Sequence, residues 1–323
     1  IIAMLLILTI GKGVFGYSTE PLLIMVAAIA AFIAFRVGVT WDEMMDEICT
    51  KIAKGMPAIL ILVCVGAMVG TWMAAGTIPM MIYYGVQIVN PKFMLVTAFL
   101  IEAVVSVVTG TSWGSVATMG VALMGIASAL GVPLPATAGA CIAGSYFGDK
   151  MSPLSDTTNL APIAAGSTLY EHIGHMFYTT VPGFIVSCIV YLVAGAHFAS
   201  DSQVGQVDEI INTLGKLFNL SMPTGLLLLI PCVIVIAGSL MKKPTIPVMI
   251  ISSAVAVVIA MAIQGFSFSD CAASMVSGFK MEMLHTSVDL ENIVEQIPNL
   301  LQRGGMSSMM NTALMAFCGF SFI

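Results

Sequence analysis

Charge is scarce in this sequence: of 323 residues only 9% are charged, 11 Lys and Arg against 17 Asp and Glu, while 59% are hydrophobic. A soluble domain is about 45–50% apolar and about 25% charged, because a folded sphere needs a solvated shell. So few charges cannot coat such a sphere, which excludes an ordinary soluble protein and leaves most of the surface to lipid. The net charge of −6, with no basic stripe, excludes nucleic acid as a partner. Histidine is also scarce, at four, and none stands in the H-E-x-x-H pattern of a zinc peptidase. An aspartyl intramembrane protease would want two aspartates in facing spans, yet Gly148-Asp149 follows Tyr146-Phe147 where that class carries a further glycine. A serine protease would need a histidine inside a span, and all four lie at the ends of apolar runs or in loops. The seven cysteines form no C-x-x-C pair and no Cys/His spacing, so they read as small core residues. The 25 methionines read as polarizable fill. No cofactor is called for, and the chain reads as a carrier more readily than as an enzyme.

What the sequence does have is long apolar runs. Windows at 21–37, 57–75, 92–109, 114–131, 176–199, 223–241 and 246–264 approach the roughly 20 residues that span a bilayer as helix. Runs of this length exclude barrel strands, so the fold class is all-α and polytopic. The chain opens inside an apolar run, Ile1 to Ile10, with no charged segment before it, and closes inside another, Ser307 to Ile323. This reads as a fragment rather than a signal peptide. Arg36, Lys51 and Lys54 near one turn and Lys242 and Lys243 at another place those loops in the cytoplasm by the positive-inside rule. The loops with only Lys216, or with Lys280 and Arg303, then fall outside. Matching segments support an inverted repeat: Pro21 to Glu43 resembles Pro247 to Asp270, and Lys54-Gly55-Met56 echoes Arg303-Gly304-Gly305-Met306, on opposite sides. The expected organisation is a first transmembrane repeat at 1–199, an extracytoplasmic linker at 200–222, and the start of an inverted second repeat at 223–323. The polar stretch from Trp41 to Lys54, with acid-to-base i,i+4 order, reads as a surface helix.

Residues 102–172 hold nearly all the polar groups at membrane depth. One cluster runs Ser106-Val-Val-Thr109-Gly-Thr111-Ser112-Trp113-Gly114-Ser115. A second runs from Gly148 through Asp149, Lys150, Ser152, Pro153, Ser155, Asp156, Thr157, Thr158 and Asn159 to Pro162, after an apolar helix at 134–147. Two prolines end a helix there. Unwound backbone at this depth survives only where it lines a cavity or is buried in protein. Its carbonyls, with the hydroxyls of Thr109, Thr111, Ser112, Ser155, Thr157 and Thr158, are hard oxygen donors suited to a small cation. Broken helices meeting near the midplane are how many secondary transporters bind their cargo. The expected arrangement is a re-entrant hairpin at 92–131, its tip near Thr111 and Ser112, facing a discontinuous helix at 134–170. Two full crossings at 92–131 would satisfy the same topology. A channel filter also uses carbonyl-lined breaks, but two dissimilar breaks favour one occluded site per protomer.

The strings Thr109-Gly-Thr-Ser-Trp-Gly114 and Gly148-Asp-Lys-Met-Ser-Pro-Leu-Ser-Asp-Thr-Thr-Asn-Leu-Ala161 closely resemble signature segments of the NhaC family of Na+/H+ antiporters. The resemblance implies a multi-pass carrier in the plasma membrane of a prokaryote, exchanging Na+ for H+. Relatives in that family exchange small organic anions such as malate and lactate with the same ions, and amino-acid exchange is a further alternative. A homodimer is one assembly to test.

Asp156 is the leading candidate for the group at which Na+ and H+ compete, since a buried carboxylate is costly unless paired or protonated; it also reads as a helix N-cap. Asp149 either contacts the ion or neutralises a neighbour such as Lys150. Glu102, Ser106 and Thr109 fall at i, i+4 and i+7 on one helix face, as a proton path or, for Glu102, as a residue within reach of an interface. Thr111 and Ser112 read as ligands or capping hydroxyls, and Asn159 as a ligand or a cap for the broken backbone. The expected Na+ ligands are Asp156, Thr157, Asn159, Thr111 and Ser112, with Asp149, Ser155, Thr158, Thr109 and Glu102 around them. Trp113 reads as packing or an interface anchor. Glu171, His172 and His175 read as solvated interface residues.

Overall fold

The computed structural model describes residues 2–153, 155, 158, 161–162, 166–198, 207–221, 224–241, 243–284 and 296–320. Among the described residues there are helices and no strands. The long elements come first: α1 (Ile2–Gly13), α2 (Thr19–Val37), α3 (Trp41–Ala75), α4 (Thr77–Ile88) and α5 (Met94–Thr109). The hairpin continues with a short α6 (Ser112–Ser115), a π-helix at Val116–Gly120 and α7 (Val121–Ala129). Then follow α8 (Leu134–Met151), α9 (Leu169–Phe198), α10 (Val207–Leu217), α11 (Thr224–Leu228), α12 (Ile230–Leu240), α13 (Thr245–Ile259), α14 (Phe268–Ser277), α15 (Gln296–Leu301) and α16 (Met310–Phe320).

Among the described residues, six helical stretches are long and apolar enough to cross a membrane: 19–37, 41–75, 91–109, 112–129, 169–198 and 245–264. They match six of the expected windows, and the protein is an all-α, multi-pass membrane protein. Along α9 the side chains of Ile185, Val186, Ile189, Val190 and Val193 are all more than half exposed. An apolar face of this extent needs hydrocarbon as its solvent.

Two expectations need correction. The seventh window, 223–241, is not one helix but the pair α11 and α12, because Pro231 has no amide to give the carbonyl four residues back. Beside the break, Thr77 Oγ1 donates to the Leu228 carbonyl and Ser252 Oγ to the Pro231 carbonyl, both at 2.7 Å. And α8 runs four residues beyond the expected end at 147, through Gly148, Asp149 and Lys150, to Met151. The stretch at 41–54 is helical and mostly exposed, as the first part of the 35-residue α3.

The chain packs as two compact units, residues 1–64 with 306–323, and residues 65–305. In the first, α1 lies against α2 at Gly11, where an added Cβ would come within 2.6 Å of Leu22, and α16 also packs on α2. In the second, α5 and α8 form the most extensive helix pair. Around them, α9 covers Phe99 with Phe184 and Tyr191, ring centroids 5.0 and 5.3 Å apart. The last part of α3 approaches α14 backbone to backbone: Ser274 Oγ donates to the Gly70 carbonyl at 2.6 Å, and the Gly305 amide to the Gly66 carbonyl at 2.7 Å.

Candidate functional site

The α5–α8 pair is built on small residues. Ala140, Gly144 and Gly148 recur every fourth position on α8 and are buried, the spacing that lets two helix backbones touch. A Cβ at Gly144 would run into the Phe99 carbonyl, and one at Gly148 into the Ala103 carbonyl and to 2.6 Å from the Cβ of Ser106. The close approach lets hydroxyls cross-link the helices: Ser106 Oγ donates to the Ser145 carbonyl and Ser152 Oγ to the Val107 carbonyl, both at 2.6 Å.

Three helix ends meet at the tip of this pair. Gly110, at φ 69°, closes α5 in the left-handed conformation that glycine adopts without strain. Thr111 then caps α6, its Oγ1 accepting from the Gly114 amide at 3.3 Å. Ser112, buried, donates its hydroxyl to Asp149 Oδ2 at 3.1 Å. Beyond Met151, Ser152 is extended at φ −80° and ψ 125°, as a residue preceding proline must be. Thr158, helical and buried, returns its Oγ1 to the Asp149 and Lys150 carbonyls, both at 3.0 Å. These are carbonyls of the last turn of α8, which have no partner within the helix. Ser155 is buried beside this turn, its amide donating to the Ser152 carbonyl at 3.3 Å.

The structure therefore joins the two sequence clusters through Ser112 and Asp149, with Thr111 and Thr158 holding the backbone on either side. Asp149 is half-buried, whereas Lys150 points to the surface. Asp156, Thr157 and Asn159 lie outside the described residues. Trp113, 52% exposed, faces away from the site. Glu171 lies at an exposed helix start, its carboxylate accepting from the Thr168 hydroxyl at 2.6 Å. Among the described residues no three His, Cys, Asp or Glu side chains cluster. Oxygens for a cation at the tip come from hydroxyls, carbonyls and Asp149, which suits a hard ion.

Below the tip, one face of α5 carries Glu102, Ser106 and Thr109, all buried. The Glu102 side chain is fully enclosed, and neither of its oxygens has a hydrogen-bond partner; Thr109 Oγ1 has none either. The Ser115 hydroxyl lies within reach of Glu102, but its proton goes to the Ser112 carbonyl at 3.1 Å. The π-helix packs opposite, and a Cβ at Gly120 would lie 3.0 Å from Glu102 Oε1. Sequence reasoning placed Ser115 and Ser152 in the two polar clusters without giving them a role, and missed Ser145. A signal for two of them existed: Cys141, Ser145, Asp149 and Ser152 fall at i, i+4, i+8 and i+11, one polar stripe at the helical period.

Comparison with known proteins places this geometry. The profile of the Na+/H+ antiporter family matches residues 144–323. An "uncharacterized Na+/H+ antiporter" of Haemophilus influenzae is 49% identical over 324 residues, covering 100% of this chain and 68% of that one. The malate-2H+/Na+-lactate antiporter of Bacillus subtilis is 35% identical over 91% of this chain and 60% of its own length. The Na+/H+ antiporter NhaC of Alkalihalophilus pseudofirmus is 35% identical over 92% of this chain and 62% of its own. The chain thus spans about two thirds or less of the length of these relatives, and no solved structure matches it. A family profile over more than half the chain, and relatives that align along nearly all of it, bear out the resemblance carried by the two motifs: the chain belongs to the Na+/H+ antiporter family.

Proposed function

We propose that this chain forms the ion-binding part of a carrier that exchanges Na+ for H+ by alternating access across the plasma membrane of a prokaryote. The observation that carries the reading is the Ser112–Asp149 hydrogen bond, which brings the hairpin tip and the end of α8 to one point. A carboxylate, a hydroxyl and helix-end carbonyls at that point offer Na+ the oxygens it loses with its hydration shell. Asp156, Thr157 and Asn159 follow in the same sequence motif and remain candidates for further ligands. A proton arriving at either carboxyl removes the negative charge and releases Na+, so one site alternates between the two ions. Opposite gradients then drive each other.

A second reading adds a small organic anion to the exchange. An open groove of about 420 Å³ between α8 and α9 is lined by Tyr146, Lys150, Thr179, Thr180 and Ser187, among others. Lys150, next in sequence to Asp149, would pair with a carboxylate there. One experiment separates the readings: the full-length protein in sealed vesicles, with internal pH followed on addition of Na+ alone and then with malate or lactate. A pH response to Na+ alone supports simple exchange. A response only when the anion is present supports the second reading, and voltage-driven current without a counter-ion overturns both in favour of a channel.

A further inference from the structure

Resting on that exchange, we propose that Glu102 is a proton site of its own, two helical turns from the hairpin tip, which takes up and gives up one proton in each cycle while Na+ is held at the tip. A polar group buried without a hydrogen bond is costly, and a bare carboxylate far more so. Glu102 is enclosed completely and both its oxygens are unpartnered. Its charge must therefore be met by something that comes and goes. The groups that face it do not supply the need. From the hairpin's second arm comes Ser115, whose proton is already committed to the Ser112 carbonyl. From α8 comes the Cys141 thiol, which is buried and at most a weak donor. The elements on both sides close on it with glycine, which leaves no side chain to pair with it: a Cβ at Gly144 would lie 3.0 Å from the Glu102 Cβ, and one at Gly120 would lie 3.0 Å from Oε1.

Polar groups lead to the tip along the same face. Ser106 is one turn on, its proton given to the Ser145 carbonyl while its oxygen can still accept, and Thr109 is a second, its Oγ1 buried without a partner. Hydroxyls both donate and accept, so these two pass a proton along as they reorient. When Na+ enters the tip, the tip carboxyl and Glu102 each release a proton; when Na+ leaves, both protons return. Two carboxyl positions then titrate in the cycle, so two protons cross for each Na+ and each cycle moves one net charge across the membrane.

The test uses the full-length protein in sealed vesicles with Glu102→Gln, an isosteric change that keeps the volume. The proton-to-sodium ratio is read from the Na+ gradient that just balances an imposed pH gradient. The ratio should fall by one, while exchange of radioactive Na+ for unlabelled Na+ stays within about twofold of the unmodified protein. An unchanged ratio overturns the proposal. So does loss of Na+–Na+ exchange in a Glu102→Gln protein of unaltered melting temperature, since that puts Glu102 in the Na+ site itself. Infrared difference spectra on adding Na+ give a readout independent of transport. Protonated-carboxyl absorption should be lost in the unmodified protein, and the Glu102→Gln difference should lack one component of that loss while keeping the tip carboxyl's; an identical loss in both overturns the proposal. If the unmodified protein shows no Na+-driven pH change, the exchange reading fails, and the infrared band still decides Glu102.

Discussion

Asp149 and Ser112 carry the argument at the scale of single residues, because their hydrogen bond joins a side chain of one motif to a side chain of the other. Asp149→Asn should lower Na+-driven exchange at least about a hundredfold, measured as radioactive Na+ uptake against a pH gradient. Ser112→Ala removes a donor to a charged acceptor, worth about 1.5–3 kcal/mol, and should raise half-saturating Na+ about tenfold or more with the maximal rate largely kept. Thr158 is a different case. Its hydroxyl serves two carbonyls of α8, so Thr158→Val should cost about 1–3 kcal/mol of stability, seen as a lower melting temperature in detergent. These hydroxyls were all legible as polar residues at membrane depth. Their separate tasks were not, since Thr111 caps a helix, Ser112 reaches a carboxylate and Thr158 closes carbonyls by geometry that only the folded chain supplies.

Helices were the easiest feature to read, because a bilayer leaves backbone few alternatives and sets their length. Their ends were harder. Pro153 ends α8 through Ser152 rather than earlier, since Gly148, Asp149 and Lys150 can all remain helical until the residue before the proline. Pro231 splits 223–241 because it has no amide to continue the helix, and Thr77 and Ser252, distant in sequence, donate to carbonyls beside the break. The contact of α5 with α8 was hidden for a related reason: the small-residue stripe at 140, 144 and 148 is visible in sequence, but not which helix it meets. Gly144→Ala and Gly148→Ala should each force α5 and α8 apart, since the new Cβ meets carbonyls of Phe99 or Ala103. An overpacked core costs about 1–3 kcal/mol. Both variants should melt earlier, and Gly148→Ala should also slow exchange, because the displacement falls next to Asp149.

Over the unit of residues 65–305, glycines fasten the two ends of the segment together. Gly278, Gly304 and Gly305 have φ of 88°, 84° and 85°, and a Cβ on Gly304 or Gly305 would overlap the backbone of Gly70 or Gly278. Gly305→Ala should therefore destabilise by more than the roughly 1–2 kcal/mol of the left-handed conformation alone, read as lost expression or a lower melting temperature of the full-length protein. In sequence, Arg303-Gly304-Gly305-Met306 stood out only as an echo of Lys54-Gly55-Met56. The close approach of α3 that needs two successive glycines is a long-range fact, and no local pattern announces it.

The π-helix at Val116–Gly120 takes up one residue in the hairpin. Each of its hydrogen bonds reaches five residues back instead of four, so its five residues cover about the rotation that four cover in ordinary helix, and one residue is absorbed without turning α7 against the tip. Deleting a single residue from this stretch would return it to ordinary helix and leave Ser112 toward Asp149. A deletion within α7 has no such slack and would turn the residues beyond it by about 100°. The second arm of the hairpin thus tolerates a change of length at one place and not at its neighbour.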